Sequence, residues 1–519
     1  MLHAARRRFD ARPLDSLLAA VAVIVTAYAL VTPFLVVRYP PMTDLPMHAA
    51  ITSAFRHWFD PTWHFQDQFE LQPFGAPTLT FYLLGALFAL VLPIAWAVKL
   101  ATLVFLSLLP IGAAVYCRGL KKDPTMGVVA AFVAWGTLTH WGFISFLGGV
   151  GLMLMGVGVA FMVLERATTK RTVILGVVSV LLFFTHVSEV PPYLVALAIT
   201  TLAMAPLAPR KRAVAVGVLP TVALLIVWWF ARPTSLAAPL SLGFDGSRAA
   251  KIPDWVFHSF RGTAELPILE WMLVIVLGVA VYSFGARGRA SRVRRRPHPS
   301  MRSRRASMAS LLIVALFVGL YFVLPLNLGV WSLVYPREIT VALLFALGAL
   351  PSLPRNPWHR APALLALLMG VTMATRFVTE RYATFERSTK GFQELVAELP
   401  LAPRLGYILL DKSGAEGLTI PLIHLPAWSQ AEHGGWLSFH FATWGATPIR
   451  FRTSPPMDVP PATPDGFELH PAEFDLLTRG KYFDWFLVRA PLAPDARFAV
   501  DPSLHLVDHR GWWWLYRRQ

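Results

Sequence analysis

Apolar and polar positions are segregated along this chain into long blocks. Apolar stretches fall near 14–37, 78–93, 95–117, 125–140, 144–164, 172–187, 190–206, 213–231, 267–285, 309–326, 337–353 and 361–378. A bilayer is crossed by roughly 20 apolar residues in a helix, so most of these predict membrane spans. The 78–93 stretch is short and begins after Pro77, and is expected to be re-entrant. That leaves about eleven full crossings, with twelve or thirteen as the other counts. After about residue 389 the pattern changes. Prolines and charges rise and no stretch is long enough to span. Short apolar runs at 405–410, 418–425 and 482–488 predict strands there. Residues 504–507 and 512–516, around Asp508-His509-Arg510-Gly511, predict a terminal hairpin. Helices are expected near 389–399, 427–433 and 471–479. The chain therefore divides into a polytopic membrane domain, 1–388, and a small α/β domain, 389–519.

Composition agrees. Hydrophobic residues make up 55% and charged residues 15%, with a mean hydropathy of +0.53; a soluble chain carries roughly a quarter charged residues. The first apolar stretch is too long for a signal-peptide core and reads as a retained span. The formal charge of +17 sits mostly in short loops, which is the pattern of cytoplasmic loops rather than of nucleic-acid binding. Arg6–Arg8, Arg118 with Lys121-Lys122, Lys170-Arg171, Arg210–Arg212, the Arg-rich loop within 286–308, and Arg355 to Arg360 are expected on the cytoplasmic side. The N-terminus is expected there too. The long loop 38–77 and the C-terminal domain then face outward. The stretch 287–305 is expected to be a disordered linker against lipid headgroups. The single cysteine, Cys117, can form no intramolecular disulfide, and no Cys/His metal spacing is present.

Chemistry is expected at the outward ends of the spans. The first loop opens Arg38-Tyr39-Pro40-Pro41-Met42-Thr43-Asp44-Leu45-Pro46-Met47-His48. Asp44 and His48 are four residues apart and share a face if the segment is helical, and residues 49–59 predict an amphipathic surface helix. His140-Trp141-Gly142 closes one hairpin, His186 and Glu189 the next, and Arg337 and Glu338 open the eleventh span. Ionisable groups at a membrane boundary are costly unless partnered and so point to function. Each also has a structural reading: a helix-terminating histidine, a helix-start acid at Glu189, or an interfacial anchor at Arg337. No phosphate-binding glycine loop, nucleophile elbow or zinc motif is present.

Together these features resemble the GT-C superfamily of integral membrane glycosyltransferases that use polyprenyl-phosphate sugars. The resemblance rests on Thr43-Asp44-Leu45-Pro46-Met47-His48 in the first loop, Trp141-Gly142-Phe143-Ile144-Ser145-Phe146 between spans, and Thr185-His186 at a helix end. The end of the chain, Tyr482-Phe483-Asp484-Trp485 through Trp514-Leu515-Tyr516, completes it. It covers nearly the whole chain. It implies a periplasmic C-terminal domain on a bacterial inner-membrane protein. It also implies Asp44, the one position that carries over by motif, as the catalytic residue that activates the acceptor. His48, His186, Glu189, Arg337 and Glu338, at the outward span ends, are the candidate substrate contacts. The partners it implies are a polyprenyl-phosphate sugar and membrane lipids, with no nucleic acid. No cofactor is required. A divalent metal, as in some members, would need Glu189 or Glu338 as its second acid. The rival class is a non-catalytic membrane protein: a transporter, an envelope-polysaccharide assembly component, or a binder of lipid-linked sugar. A transporter would want mid-span ionisable residues and internal repeats, and neither is visible. Neither the sugar, the acceptor nor the oligomeric state is written in the sequence.

Overall fold

The structure is a computed structural model that describes residues 13–204, 210–233, 236, 238–260, 264–294, 301–412, 419–456, 459–462 and 467–519. Seven of its helices are long and apolar enough to cross a membrane: Pro13–Leu35, Ile94–Gly119, Ile144–Glu165, Lys211–Ala231, Glu265–Ala286, Met301–Val323 and Pro357–Ser388. The chain is a multi-pass membrane protein. The remaining apolar stretches form shorter helices, among them Thr169–Thr185, Val190–Ala203 and Val334–Ala346. The helix Thr80–Phe88 rises only about 13 Å, less than half a bilayer core. The 125–140 stretch is broken into Pro124–Val128, Val129–Val133 and Thr137–Trp141.

Burial separates core helices from lipid-facing ones. The apolar window of Ile144–Glu165 is 89% buried, whereas those of Lys211–Ala231 and Glu265–Ala286 are 22% and 17% buried. Val216, Phe230, Val281 and Phe284 are exposed, as an apolar solvent permits. Ile144–Glu165 packs along Ile94–Gly119 through paired glycines. A Cβ at Gly112 would run into the Gly151 carbonyl, and one at Gly119 into that of Gly158. Small residues at such steps let helix backbones touch where no hydrophobic effect between helices operates.

The basic clusters gather at one end of the bundle. Glu165 takes both Lys121, at 2.5 Å, and Arg302, at 3.7 Å. Arg360 bridges Asp15 at 2.6 Å and Asp123 at 3.2 Å. The expected linker 287–305 is helical instead up to Arg294 and again from Met301. Alanine and arginine are good helix formers, so the two spans simply continue. The remainder, 295–300, and the Arg6–Arg8 cluster lie outside the described residues.

At the opposite end the first loop is clamped by the C-terminal region. Arg38 makes two hydrogen bonds to Glu432, at 3.0 and 2.9 Å, and its N–H donates to Glu386. Strand β1, Phe69–Leu71, will pair with a later strand. A mixed sheet follows: β2 is Arg404–Leu409 and β3 Trp436–Leu437. β4, Ile449–Phe451, is the antiparallel partner of β1. β5 is Trp485–Arg489, β6 Leu504–Arg510 and β7 Trp513–Arg518, and the sheet order is β3-β2-β5-β7-β6. β2 runs parallel to β3 and β5, and β7 antiparallel to β5 and β6. The expected hairpin is β6–β7, turning at Gly511 with φ 60°.

Three local expectations are corrected. No strand forms within the described part of 418–425. Pro421 and Pro426 lack the N–H a ladder needs, and Leu422 and Leu425 are buried instead. No α-helix spans 471–479, because the Asp475 carboxylate accepts the N–H of Leu477 in a turn that competes with helix. The helix after Asp44, Leu45–Arg56, does not lie on the surface. Leu45 through Ala54 are almost all buried, beneath the helix Ala427–His433.

Candidate functional site

Asp44 sits at the start of that buried helix. Pro40 and Pro41 turn the chain tightly, with the Met42 N–H donating to the Pro40 carbonyl at 2.7 Å. Thr43 and Asp44 then donate their N–H groups to the carbonyls of His140 and Trp141, at 2.8 and 3.1 Å. The hairpin that receives them turns at Gly142, with φ 93°. A Cβ there would lie 2.8 Å from the Asp44 nitrogen. Both the left-handed backbone and the close approach demand glycine. The Trp141-Gly142 pair of the sequence is thus the bed on which the first-loop acid rests.

The Asp44 side chain makes no cap bond to its own helix. Its Oδ1 lies instead 3.3 Å from Nδ1 of His424, a residue of the C-terminal region. His424 Nδ1 is also 3.1 Å from the Thr43 carbonyl, and the Ile420 N–H donates to the Thr43 hydroxyl at 3.1 Å. His48, one turn along, points elsewhere. Its Nδ1 is 2.8 Å from the Tyr82 hydroxyl, and its ring faces Phe81 and Phe441. Burial drives its pKa down to about 4, against the opposing pull of Asp44, so His48 is neutral at physiological pH. Among the described residues the side chain within 3.3 Å of the Asp44 carboxylate is therefore that of His424 rather than His48.

His186, Glu189, Arg337 and Glu338 form a second group. His186 Nδ1 is 2.9 Å from the Ser188 hydroxyl and 4.0 Å from Glu189 Oε1. Phe146 lies against both the His186 ring and the Arg337 guanidinium, each 5.6 Å away, which joins the two elements. Arg337 is 9% exposed, so it does not snorkel to the interface. Its guanidinium stacks 4.1 Å over Phe143. Its Nε donates to the Leu333 carbonyl at 3.0 Å and its Nη2 to that of Ser332 at 2.7 Å. Leu333 holds the left-handed conformation, φ 54°, a strained choice for leucine at the turn that supplies these carbonyls. Glu189, Glu338 and Asp44 all act electrostatically on Arg337. Neither Glu189 nor Glu338 forms a close ion pair with it among the described residues, and each leaves Oε2 buried without a hydrogen-bond partner.

Among the described residues no group of three or more His, Cys, Asp or Glu is arranged to hold a metal ion. His140, also named from the sequence, is buried with Nδ1 3.1 Å from the Gly136 carbonyl. Its contribution to the site is its carbonyl. Sequence reasoning missed His424, Tyr82 and the Ser332–Leu333 carbonyls. The one local signal for His424 is that His424-Leu425-Pro426 precedes a helix just as Asp44-Leu45-Pro46 does.

No protein-family model matches the chain, and no curated protein matches it. Among solved structures it is similar to the crystal structure of ArnT from Cupriavidus metallidurans bound to undecaprenyl phosphate. The TM-score is 0.53, at 15% identity over 98% of each chain. The chain shares the fold of that protein. At that identity the likeness is one of fold, and it extends over membrane helices, first loop and C-terminal sheet alike.

Proposed function

We propose that this chain is a membrane glycosyltransferase that moves a sugar from a polyprenyl-phosphate donor to an envelope glycan, lipid or protein acceptor. Transfer takes place at the outer face of the bacterial inner membrane. The observation that carries this reading is the Asp44 carboxylate. Its Oδ1 lies 3.3 Å from His424 Nδ1, and its side chain is 17% exposed. It lies in a fold shared with a protein bound to undecaprenyl phosphate.

In this reading the acceptor hydroxyl attacks the anomeric carbon. The bond from that carbon to the phosphate oxygen breaks, and the polyprenyl phosphate departs with the electron pair. The hydroxyl proton passes to Asp44. A carboxylate is a weak base toward a free hydroxyl, but that proton becomes acidic as the new C–O bond forms. Arg337 holds the departing phosphate through charge-assisted hydrogen bonds from Nη1, which the Ser332 and Leu333 carbonyls do not engage. His48 and His186 contact sugar or phosphate, and Glu189 and Glu338 contact substrate hydroxyls.

The test is transfer by the purified protein in nanodiscs, given a panel of radiolabelled polyprenyl-phosphate sugars. Label should leave the lipid for a membrane-fraction acceptor. Donor binding with no transfer from any donor would favour a non-catalytic binder of lipid-linked sugar. Sidedness is checked separately. Reporter fusions at residue 300 and at the C-terminus should report opposite faces, and a shared face would overturn the outer-face site.

A further inference from the structure

We infer that His424, contributed by the C-terminal region, is the positioning residue that orients the Asp44 carboxylate; this rests on the reading of Asp44 as the acceptor-activating base. His424 Nδ1 faces two oxygens, Asp44 Oδ1 at 3.3 Å and the Thr43 carbonyl at 3.1 Å. Both are acceptors, so Nδ1 carries a proton; its hydrogen bond goes to the Thr43 carbonyl, and Asp44 Oδ1 lies alongside. Nε2 is buried without a hydrogen-bond partner among the described residues. Turning the ring over would put a C–H where Nδ1 stands and lose the bond to Thr43. The ring is also packed, lying 5.8 Å from Phe439 nearly coplanar and 4.9 Å from Phe441 edge-on.

The need for such a residue follows from the backbone around Asp44. An acid at a helix start ordinarily turns back to accept an N–H of its own first turn, which would direct its oxygens along the helix. Asp44 makes no such bond. The His424 ring, anchored on the Thr43 carbonyl, instead lies 3.3 Å from Asp44 Oδ1. His424 is held in turn by its own segment. The Ile420 N–H bonds the Thr43 hydroxyl and the Thr419 hydroxyl donates to the Ser259 carbonyl at 2.9 Å. The segment that leads to the histidine is thereby pinned to the residue before the acid and to Ser259. His424 donates throughout and takes no proton from the acceptor, so it acts through Asp44 and not on substrate.

The experiment compares three replacements. An asparagine amide can stand where Nδ1 stands, a glutamine amide reaches the Nε2 position instead, and alanine offers neither. With an undecaprenyl-phosphate-linked sugar that the wild type turns over, His424→Ala and His424→Gln should lower kcat by about tenfold or more. KM for the donor should stay unchanged, and His424→Asn should recover most of the loss. Unchanged kcat in His424→Ala would overturn the inference, as would equal losses in all three variants, which a purely structural histidine predicts. Asp44→Asn measured alongside separates the two claims: full activity there sinks the first-loop reading itself. Should the wild type turn over no donor, thermal unfolding of Asp44→Ala, His424→Ala and the double variant still decides the contact. Non-additive shifts support it, and additive ones end it.

Discussion

The first-loop acid and the acidic pair beside Arg337 are both carboxylate sites at the same end of the molecule, yet they are built in opposite ways. Asp44 is partly exposed, and its Oδ1 lies 3.3 Å from the His424 imidazole of a distant segment. Glu189 and Glu338 are 3% and 6% exposed, and each has an oxygen with no donor. Their nearby cation, Arg337, spends two of its donors on backbone carbonyls. A partly exposed carboxylate with an imidazole beside it can take part in a reaction. A buried carboxylate without a donor is expensive, and it is tolerated here by the field of a buried guanidinium. Under the proposed function, the difference suits Asp44 to act on the acceptor and the pair to balance the charge of Arg337 as well as to contact substrate.

Removing both charges of the pair is the hardest test of that contrast. Glu189→Gln with Glu338→Gln leaves the buried Arg337 charge with only Asp44 to compensate it among the acids that act on it. Thermal or chemical unfolding should show a loss of about 3–5 kcal/mol; a neutral outcome would mean the pair does not balance Arg337. Next comes Asp44→Asn, which keeps shape but loses the charge. Sugar transfer should fall by about 100-fold or more while the unfolding midpoint holds. A drop in stability equal to that of the glutamate pair would erase the distinction between the two sites.

Arg337→Lys has a smaller effect. Lysine lacks the planar fork that bonds two carbonyls and still offers Nη1. Binding of undecaprenyl phosphate in nanodiscs should weaken by about 1–3 kcal/mol, whereas Asp44→Asn should bind it as the wild type does. Equal affinities for wild type and Arg337→Lys would end the phosphate role. The smallest effect is one of pH. The folded-state pKa of His48 is lowered to about 4 from an ordinary 6.5, so the unfolded chain binds more protons between these values. Stability is therefore full above about pH 6.5 and falls as pH drops toward 4, by about 1 kcal/mol at pH 6 from this residue. His48→Gln should flatten that slope; an unchanged slope would show that His48 is not buried neutral beside Asp44.

Much of the architecture was legible along the chain, because a membrane span is a one-dimensional property. Length and hydropathy alone mark Pro13–Leu35 or Ile144–Glu165, and the basic clusters mark an end of the bundle before any contact is known. The terminal hairpin was legible from its Gly511 turn, and the opening of the first-loop site from the prolines before Asp44. Short apolar runs were less informative. Residues 418–425 look like a strand until Pro421 and Pro426 are set against the absence of a pairing partner, and residues 49–59 look like a surface helix until the structure buries Leu45 through Ala54 beneath another helix. The candidate site was legible only in half. Asp44, His48, Arg337 and the glutamates declare themselves as ionisable groups at span ends.

Only the tertiary structure decided what those groups touch. His424 and Thr43 are 381 positions apart, and no local periodicity encodes a contact across that distance. It exists because β1 pairs with β4 and Arg38 with Glu432, which folds the C-terminal region down onto the first loop. The same closure buries the helix after Asp44, turns His48 toward Tyr82, and leaves Asp44 to a histidine from the other end of the chain. Hydropathy along the sequence determined where the chain enters and leaves an apolar solvent. Which donor meets which carboxylate was set by long-range packing, since hydrogen bonds act over about 3 Å and only the folded chain brings those atoms that close.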